Sequence, residues 1–179
     1  AECAAVVGDD DADDDDDVVG TGDVMAKLVD GSVVSGTIPS NATAVEVLVF
    51  ELKASEAAQV DSITVKKTGV SSLPSGFQGY LYMGNDRLTA GKSLNSESLE
   101  MNFSNLNWDL DAGEKMEVTL RVDIGDMTAS GEVGFSVTDI DAGAGDVSGL
   151  PVASEIYGLS TTDVGGVTIE KDGTISNPK

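Results

Sequence analysis

The sequence predicts an all-β protein, a single antiparallel β-sandwich of the immunoglobulin-like or jelly-roll-like kind with an extended acidic N-terminal segment. Three observations predict this class. Apolar and polar residues alternate with a period of two along several segments, which is typical of strands with one buried face. Turn-forming residues rich in Gly, Asp and Asn separate these segments. No segment shows the 3.6-residue period of an amphipathic helix.

The individual strands follow from this alternation. Residues 116–124 alternate strictly between apolar and polar side chains, and residues 98–104 and 133–138 repeat the pattern. Residues 44–52 are apolar at both alternating sets of positions, so we expect a central strand that is buried on both faces. Residues 56–58 form one helical turn at most. Further strands are predicted at residues 24–29, 33–38, 62–68, 79–83 and 166–170.

The chain divides into three parts. The sandwich is predicted over residues 23–173, between an acidic leader at 1–22 and a short tail at 174–179. Eight of the nine residues from 9 to 17 are Asp. Like charges at this density repel one another and prevent packing, so the leader alone is predicted to be disordered. Short apolar runs flank the aspartates at residues 4–7 and 18–19.

The net charge restricts the class of partner. The 179 residues include 10 basic and 32 acidic side chains, for a formal charge of −22. Nucleic acid is excluded because phosphate binding needs a basic surface, and an anionic membrane surface is disfavoured for the same reason. No apolar stretch reaches membrane-spanning length, so no membrane insertion is predicted. Cations are the favoured partners, above all Ca²⁺, which prefers clustered oxygen ligands.

Two acidic segments are the first candidates for a calcium site. Asp139, Asp141 and Asp146 are spaced around glycines where a predicted strand ends, and glycine lets the backbone fold around an ion. The second segment lies in the leader, where the candidates are Asp9, Asp10, Asp11, Asp13 and Asp14. Neither segment has the spacing of an EF-hand loop, and a solvated acidic turn is the alternative for each.

The residue types argue against catalysis. The chain has no histidine, which removes the commonest general base and most zinc sites. The single cysteine, Cys3, has no histidine partner, and no phosphate-binding Gly-rich loop is present. Neither a catalytic residue nor an organic cofactor is therefore predicted. For the scattered aromatic residues, packing in the core is favoured over a ligand cage. These residues are Phe50, Phe77, Tyr80, Tyr82, Phe103, Trp108 and Phe135.

Most of the chain resembles a β-sandwich module that recurs in large, surface-layer-like envelope proteins of small-genome, uncultivated bacteria. The resemblance implies an extracellular immunoglobulin-like sandwich without known catalysis. Such modules usually occur in long multidomain chains, whereas here one module follows an acidic leader, which suggests an array built by assembly. The segments that carry the resemblance are residues 50–54, 60–65, 79–89, 103–106, 111–114 and 118–124.

These observations favour a structural subunit of a homopolymeric extracellular filament or surface layer. The chain starts at Ala1 among small residues, as expected after removal of a signal peptide, and this indicates an extracellular or cell-surface location. A lone sandwich has exposed sheet edges, and the leader is the expected donor of a strand to the next subunit. The alternatives are a monomeric adhesin or carbohydrate-binding module and, less favoured, a secreted hydrolase. The predicted partners are other copies of the chain and calcium ions.

Overall fold

The computed structural model describes residues 22–31 and 35–163, and all regular structure in these ranges is β. This confirms the all-β class. No helix that could cross a membrane occurs in the described residues. The strands are β1 (Val24–Leu28), β2 (Thr37–Ser40), β3 (Val45–Ala54), β4 (Ala58–Thr68), β5 (Gln78–Met83), β6 (Asp86–Arg87), β7 (Glu100–Leu110), β8 (Lys115–Asp123), β9 (Gly131–Asp141), β10 (Val147–Ser148), β11 (Val152–Ala153) and β12 (Tyr157–Asp163).

The strands form two sheets that pack as a sandwich. Sheet I has the order β10-β1-β3-β8-β5-β6. Sheet II has the order β2-β12-β9-β4-β7, and β11 also pairs with β9. The pairings of β1 with β10 and of β12 with β2 are parallel, and the other pairings between described strands are antiparallel. Both sheets are therefore mixed, because β10 and β2 reach their partners from distant parts of the chain rather than through a hairpin.

The core lies between the sheets. Phe50, Phe77, Phe103 and Phe135 are fully buried there, and the rings of Phe77 and Phe135 stack with centroids 5.9 Å apart. This confirms the core assignment for all four phenylalanines. Strand β3 is internal in sheet I, and its residues 47–50 are all buried. The prediction of a central strand buried on both faces is thus confirmed.

Several strands extend further than their sequence pattern. Strand β4 begins at Ala58, so no helical turn forms at residues 56–58, and β7 and β9 continue to Leu110 and Asp141. Strand β2 begins later than predicted. Strands β6, β10, β11 and β12 were not predicted, and the first three have only two residues each. The strand predicted at 166–170 and the leader up to residue 21 lie outside the described residues.

Candidate functional site

The structure places two of the predicted calcium ligands, Asp139 and Asp141, in a strand rather than in a loop. Asp139 and Asp141 lie within β9, opposite Thr64 and Ser62 of β4, rather than in a loop after the strand. Both side chains are exposed on the outer face of sheet II, because Ile140 between them points into the core. The register with β4 shifts at Thr138, which breaks the period of two, so that Ile140 follows Val137 on the inward face and the strand continues to Asp141. Asp139 and Asp141 therefore lie in a strand rather than in a loop, and their role as calcium ligands with Asp146 stays a prediction.

Asp146 lies apart from that pair, beside the first strand of sheet I. Its backbone N–H donates to Oδ1 of Asp23 at 3.0 Å, and its C=O accepts from Val24 N–H at 2.9 Å. Asp141 in turn accepts a hydrogen bond from Gly143 N–H through Oδ1, at 3.0 Å. Asp146 thus anchors β1, and Asp141 stabilises the turn that follows β9.

Calcium binding stays a prediction. Over residues 22–31 and 35–163, no group of three or more His, Cys, Asp or Glu side chains is placed to share a metal ion. The leader candidates Asp9, Asp10, Asp11, Asp13 and Asp14 lie outside the described residues.

Two tyrosines lie on the outer face of sheet I, where the sequence predicted core positions. Tyr80 and Tyr82 are half-buried, because Gly79 and Leu81 occupy the inward-facing positions of β5. The guanidinium of Arg87 lies 5.1 Å from the ring centroid of Tyr80. The core prediction is therefore wrong for these two tyrosines. The period of two in β5 indicates that both face outward when Gly79 and Leu81 face inward.

Tyr80 is held by a hydrogen bond as well as by an arginine, and Tyr82 is held by an arginine. Tyr80 donates its hydroxyl hydrogen to Oδ2 of Asp123 at 2.9 Å. That hydrogen bond is the main cause of the raised pKa of Tyr80, and burial adds to it. The guanidinium of Arg121 lies 4.5 Å from the ring centroid of Tyr82 and pairs with Oε2 of Glu46 at 3.5 Å.

Half of the basic residues of the chain lie on this same face. The outward positions of sheet I carry five basic and four acidic side chains. Lys115 pairs with Glu51 at 3.0 Å, in addition to the pair made by Arg121. Lys27, Lys53 and Arg87 have no ion pair with any described carboxylate. The nine charged residues are Lys27, Glu46, Glu51, Lys53, Arg87, Lys115, Glu117, Arg121 and Asp123.

The outer face of sheet II has the opposite balance. Lys66 is the one basic residue at its outward strand positions among the described residues, and it lies 4.0 Å from Glu100. Small polar side chains occupy much of the remaining face, and Asn102, for example, donates to Thr64 Oγ1 at 3.0 Å. The acidic residues at outward positions are Glu100, Asp109, Glu132, Asp139 and Asp141. The sandwich therefore has one mixed, cation-rich face and one acidic face.

Among the described strands, β7 forms a long edge of sheet II. It has eleven residues and pairs with β4 on one side. Lys67 N–H donates to Leu99 C=O at 2.8 Å, and the register then directs the backbone groups of Asn102 and Ser104 away from β4. The backbone C=O of Glu100 also points away from β4, but it already accepts a hydrogen bond from Asn95 N–H at 2.9 Å.

A bulge and a groove mark the second half of this edge. Asn105 and Asn107 have left-handed backbones, with φ of 58° and 49°, and the register with β4 shifts there. Beside the bulge is a groove of about 190 Å³, which we call the edge groove. Apolar side chains and one cation, Lys92, border it. The edge groove is lined by Leu88, Thr89, Ala90, Lys92, Phe103, Ser104, Asn105, Leu106 and Trp108.

No protein-family model matches the chain, and no curated protein matches it. The envelope-module family suggested by the sequence is therefore not established, whereas the sandwich fold that it implied is present.

Distant similarities to solved structures exist. A DUF4466 family protein from Parabacteroides merdae has 11% identity and a TM-score of 0.40, over 79% of this chain and 46% of that protein. AvmM, which catalyses macrocyclization in alchivemycin A biosynthesis, has 12% identity and a TM-score of 0.39, over 79% and 90%. The third ScaB cohesin of R. flavefaciens, in complex with a group 1 dockerin, has 13% identity and a TM-score of 0.30, over 79% and 97%.

This chain thus spans about half the length of the first of these proteins. At these scores, the similarities give no indication of function.

Proposed function

We propose that the chain is a structural subunit of a homopolymeric extracellular filament or surface layer, in which neighbouring subunits are joined by strand addition. The observation that carries this proposal is the edge of β7. Its outward backbone groups at Asn102 and Ser104 offer hydrogen bonds to an added strand.

The other edges of the described sheets are much shorter. Strands β6 and β10 have two residues each, and β2 has four residues that include Pro39. Short edge strands and edge prolines are devices that prevent pairing with other chains. Strand β7 has eleven residues, and its bulge at Asn105 limits the accessible stretch to the first half of the strand. Residues 100–104 remain accessible, and because they contain no proline, unlike β2, they favour β7 as the acceptor edge.

The leader is the proposed donor. Its residues 4–7 and 18–19 are apolar, and the edge groove offers the half-buried apolar side chains of Leu106 and Trp108. Lys92 in the same groove complements the aspartates of the leader. Donation from one subunit to the next is a heterologous contact, so it produces an open filament rather than a closed dimer.

A proline at Asn102 tests the acceptor edge. The N–H of residue 102 points outward, so Asn102→Pro leaves the ladder with β4 intact but removes a donor that an added strand needs. We expect a folded protein that no longer forms filaments in electron micrographs, whereas the matched control Asn102→Ala assembles like the native chain. Native-like filaments from a folded Asn102→Pro variant would exclude this edge as the acceptor.

Deletion of residues 1–22 tests the donor. We expect a folded monomer by circular dichroism and sedimentation, and no filaments by electron microscopy. Normal filaments from the truncated chain would show that the leader is not the donor. A native protein that stays monomeric, with and without Ca²⁺, would overturn the homopolymer itself.

A monomeric carbohydrate-binding module is the second candidate. Tyr80 and Tyr82 on an outer sheet face are the observation that favours it, since exposed aromatic rings stack on sugars. However, the guanidinium groups of Arg87 and Arg121 already lie over these rings. The proposal of a structural subunit therefore fits the face better. We also propose that the chain has no enzymatic activity, since it has no histidine and its one cysteine lies in the leader.

A further inference from the structure

The two outer faces of the sandwich differ in charge, although the chain as a whole is strongly acidic. The outer face of sheet I has an excess of one positive charge over its outward positions, and the outer face of sheet II has an excess of four negative charges. In a chain with a formal charge of −22, a cation-rich face is a marked exception. Complementary potentials of this kind steer surfaces towards each other and fix their orientation.

The residue types on the face of sheet I point in the same direction. Tyr, Arg and Met are enriched in the cores of protein–protein interfaces. Here Tyr80 and Tyr82 are stacked with arginines, and Met25 is 43% exposed. At the centre of the face, Val49 and Thr119 lie opposite each other and are 3% and 5% exposed. The long side chains around them thus already cover an apolar centre.

We propose that the outer face of sheet I docks onto the outer face of sheet II of a second copy of this chain. This inference rests on the proposed homopolymer and adds a second contact to it. Lys27, Lys53 and Arg87, which lack ion pairs within the described chain, then face the carboxylates Asp139 and Asp141 of the next copy. The contact is heterologous, so repeated docking stacks sandwiches in an open array.

The faces are large enough for a specific contact. Four strands about 4.8 Å apart and about eight residues long cover about 20 Å by about 26 Å. Docking then buries about 500 Å² per partner, or about 1,000 Å² in total, which is at the lower end of specific interfaces. A contact of this size is weak alone and gains strength through repetition along an array. Strand addition uses the edge of β7, so the two contacts do not compete for the same surface.

A charge-swap experiment on the full-length chain tests the docking. The first variant reverses the face of sheet I with Lys53→Glu and Arg87→Glu. The second reverses the face of sheet II, from an excess of four negative to an excess of two positive charges, with Glu132→Lys, Asp139→Lys and Asp141→Lys. In each variant alone, both faces have the same sign, and we expect the protein concentration needed for assembly to rise at least tenfold. In a 1:1 mixture, each reversed face meets a complementary one, and we expect assembly at the native concentration.

The controls separate this inference from the proposed function. Glu56→Lys with Glu97→Lys and Asp111→Lys makes the same change of charge as the second variant on exposed residues outside the strands and should leave assembly unchanged. Circular dichroism of each variant checks folding.

If native chains form filaments and both variants also do so at the native concentration, or if the mixture does not assemble at the native concentration, face docking is wrong and the homopolymer stands. If native chains stay monomeric, both proposals fail. Binding of an anionic polysaccharide to a monomer that is lost in Lys53→Glu/Arg87→Glu would identify a different partner.

Discussion

Tyr157 of β12 donates its hydroxyl hydrogen to the backbone C=O of Val47 in β3, at 2.9 Å, and so joins sheet II to sheet I through the buried interior. Tyr157 is 3% exposed. The bond satisfies a carbonyl at the point where the register of β3 against β8 shifts. A hydrogen bond between the sheets at this depth fixes their relative position in a way that apolar packing does not.

Removal of this hydroxyl should weaken the sandwich. Tyr157→Phe leaves the buried C=O of Val47 without its partner, and we expect a loss of about 1 to 2 kcal/mol in the free energy of unfolding. Urea denaturation measures it. Tyr82→Phe on the outer face is the matched control and should change stability by less than about 0.5 kcal/mol. Equal effects of the two substitutions would contradict the role assigned to Tyr157.

Alkaline pH should act on the same residue. Burial raises the pKa of Tyr157 to about 12, and the charges of Glu155 and Glu46 add to the shift. In the unfolded chain a tyrosine titrates near pH 10. The contribution of neutral Tyr157 is therefore complete below pH 10 and is lost as the pH rises from about 10 to about 12. The free energies of unfolding of the native protein and of Tyr157→Phe should converge as the pH rises over this range. If the two curves stay parallel, ionisation of Tyr157 is not the cause of the alkaline loss of stability.

Glycine at position 149 is required for two reasons. Its φ is +85°, and a Cβ there would overlap the backbone carbonyl of Ala26. Gly143 has a similar φ of +64° but open space around the position of a Cβ. We expect Gly143→Ala to cost about 1 kcal/mol through backbone strain alone. Gly149→Ala should cost at least about 2 kcal/mol more, because β10 must move away from β1. Thermal unfolding of the two variants measures the difference, and equal losses would contradict it.

Calcium should promote assembly, because stacked subunits of charge −22 repel one another unless cations intervene. We expect Ca²⁺ to lower the protein concentration needed for assembly and a chelator to raise it, with Na⁺ of equal ionic strength as the control. Replacement of Asp9, Asp10, Asp11, Asp13 and Asp14 by Asn should reduce the effect. Unchanged assembly and thermal stability after chelation would exclude a role for calcium.

The long strands could be predicted because their burial is periodic. The alternation in residues 116–124 identified β8, and the apolar run in residues 44–52 identified β3 as central. Strands such as β10 could not be predicted, since two residues are too few to show a period and their pairing depends on distant β1. The sequence pattern places the end of β9 too early, because the irregularity at Thr138 breaks the period of two before Ile140 and because Asp139 and Asp141 are typical of turns.

Neither the cation-rich face of sheet I nor the edge position of β7 could be predicted from the sequence. The basic residues at positions 27, 53, 87, 115 and 121 are spread over nearly a hundred residues, and only the order of strands in sheet I brings them onto one face. The edge position of β7 likewise follows from topology, because its alternating pattern is the same as that of an internal strand with one wet face. Strand order is set by long-range packing, which local patterns do not encode.

The parallel pairing of β1 with β10 has a consequence for the order of folding. Asp23 and Asp146, which clamp this pair, are separated by 123 positions. Pairing over such a separation is slow, because a long loop must close before any contact rewards it. Strand β1 therefore leaves the ribosome early but gains its second neighbour only after residue 148 has been made. We expect β1, which already pairs with β3 along its length, to complete its pairing late, so that its other edge stays open until the sandwich is complete.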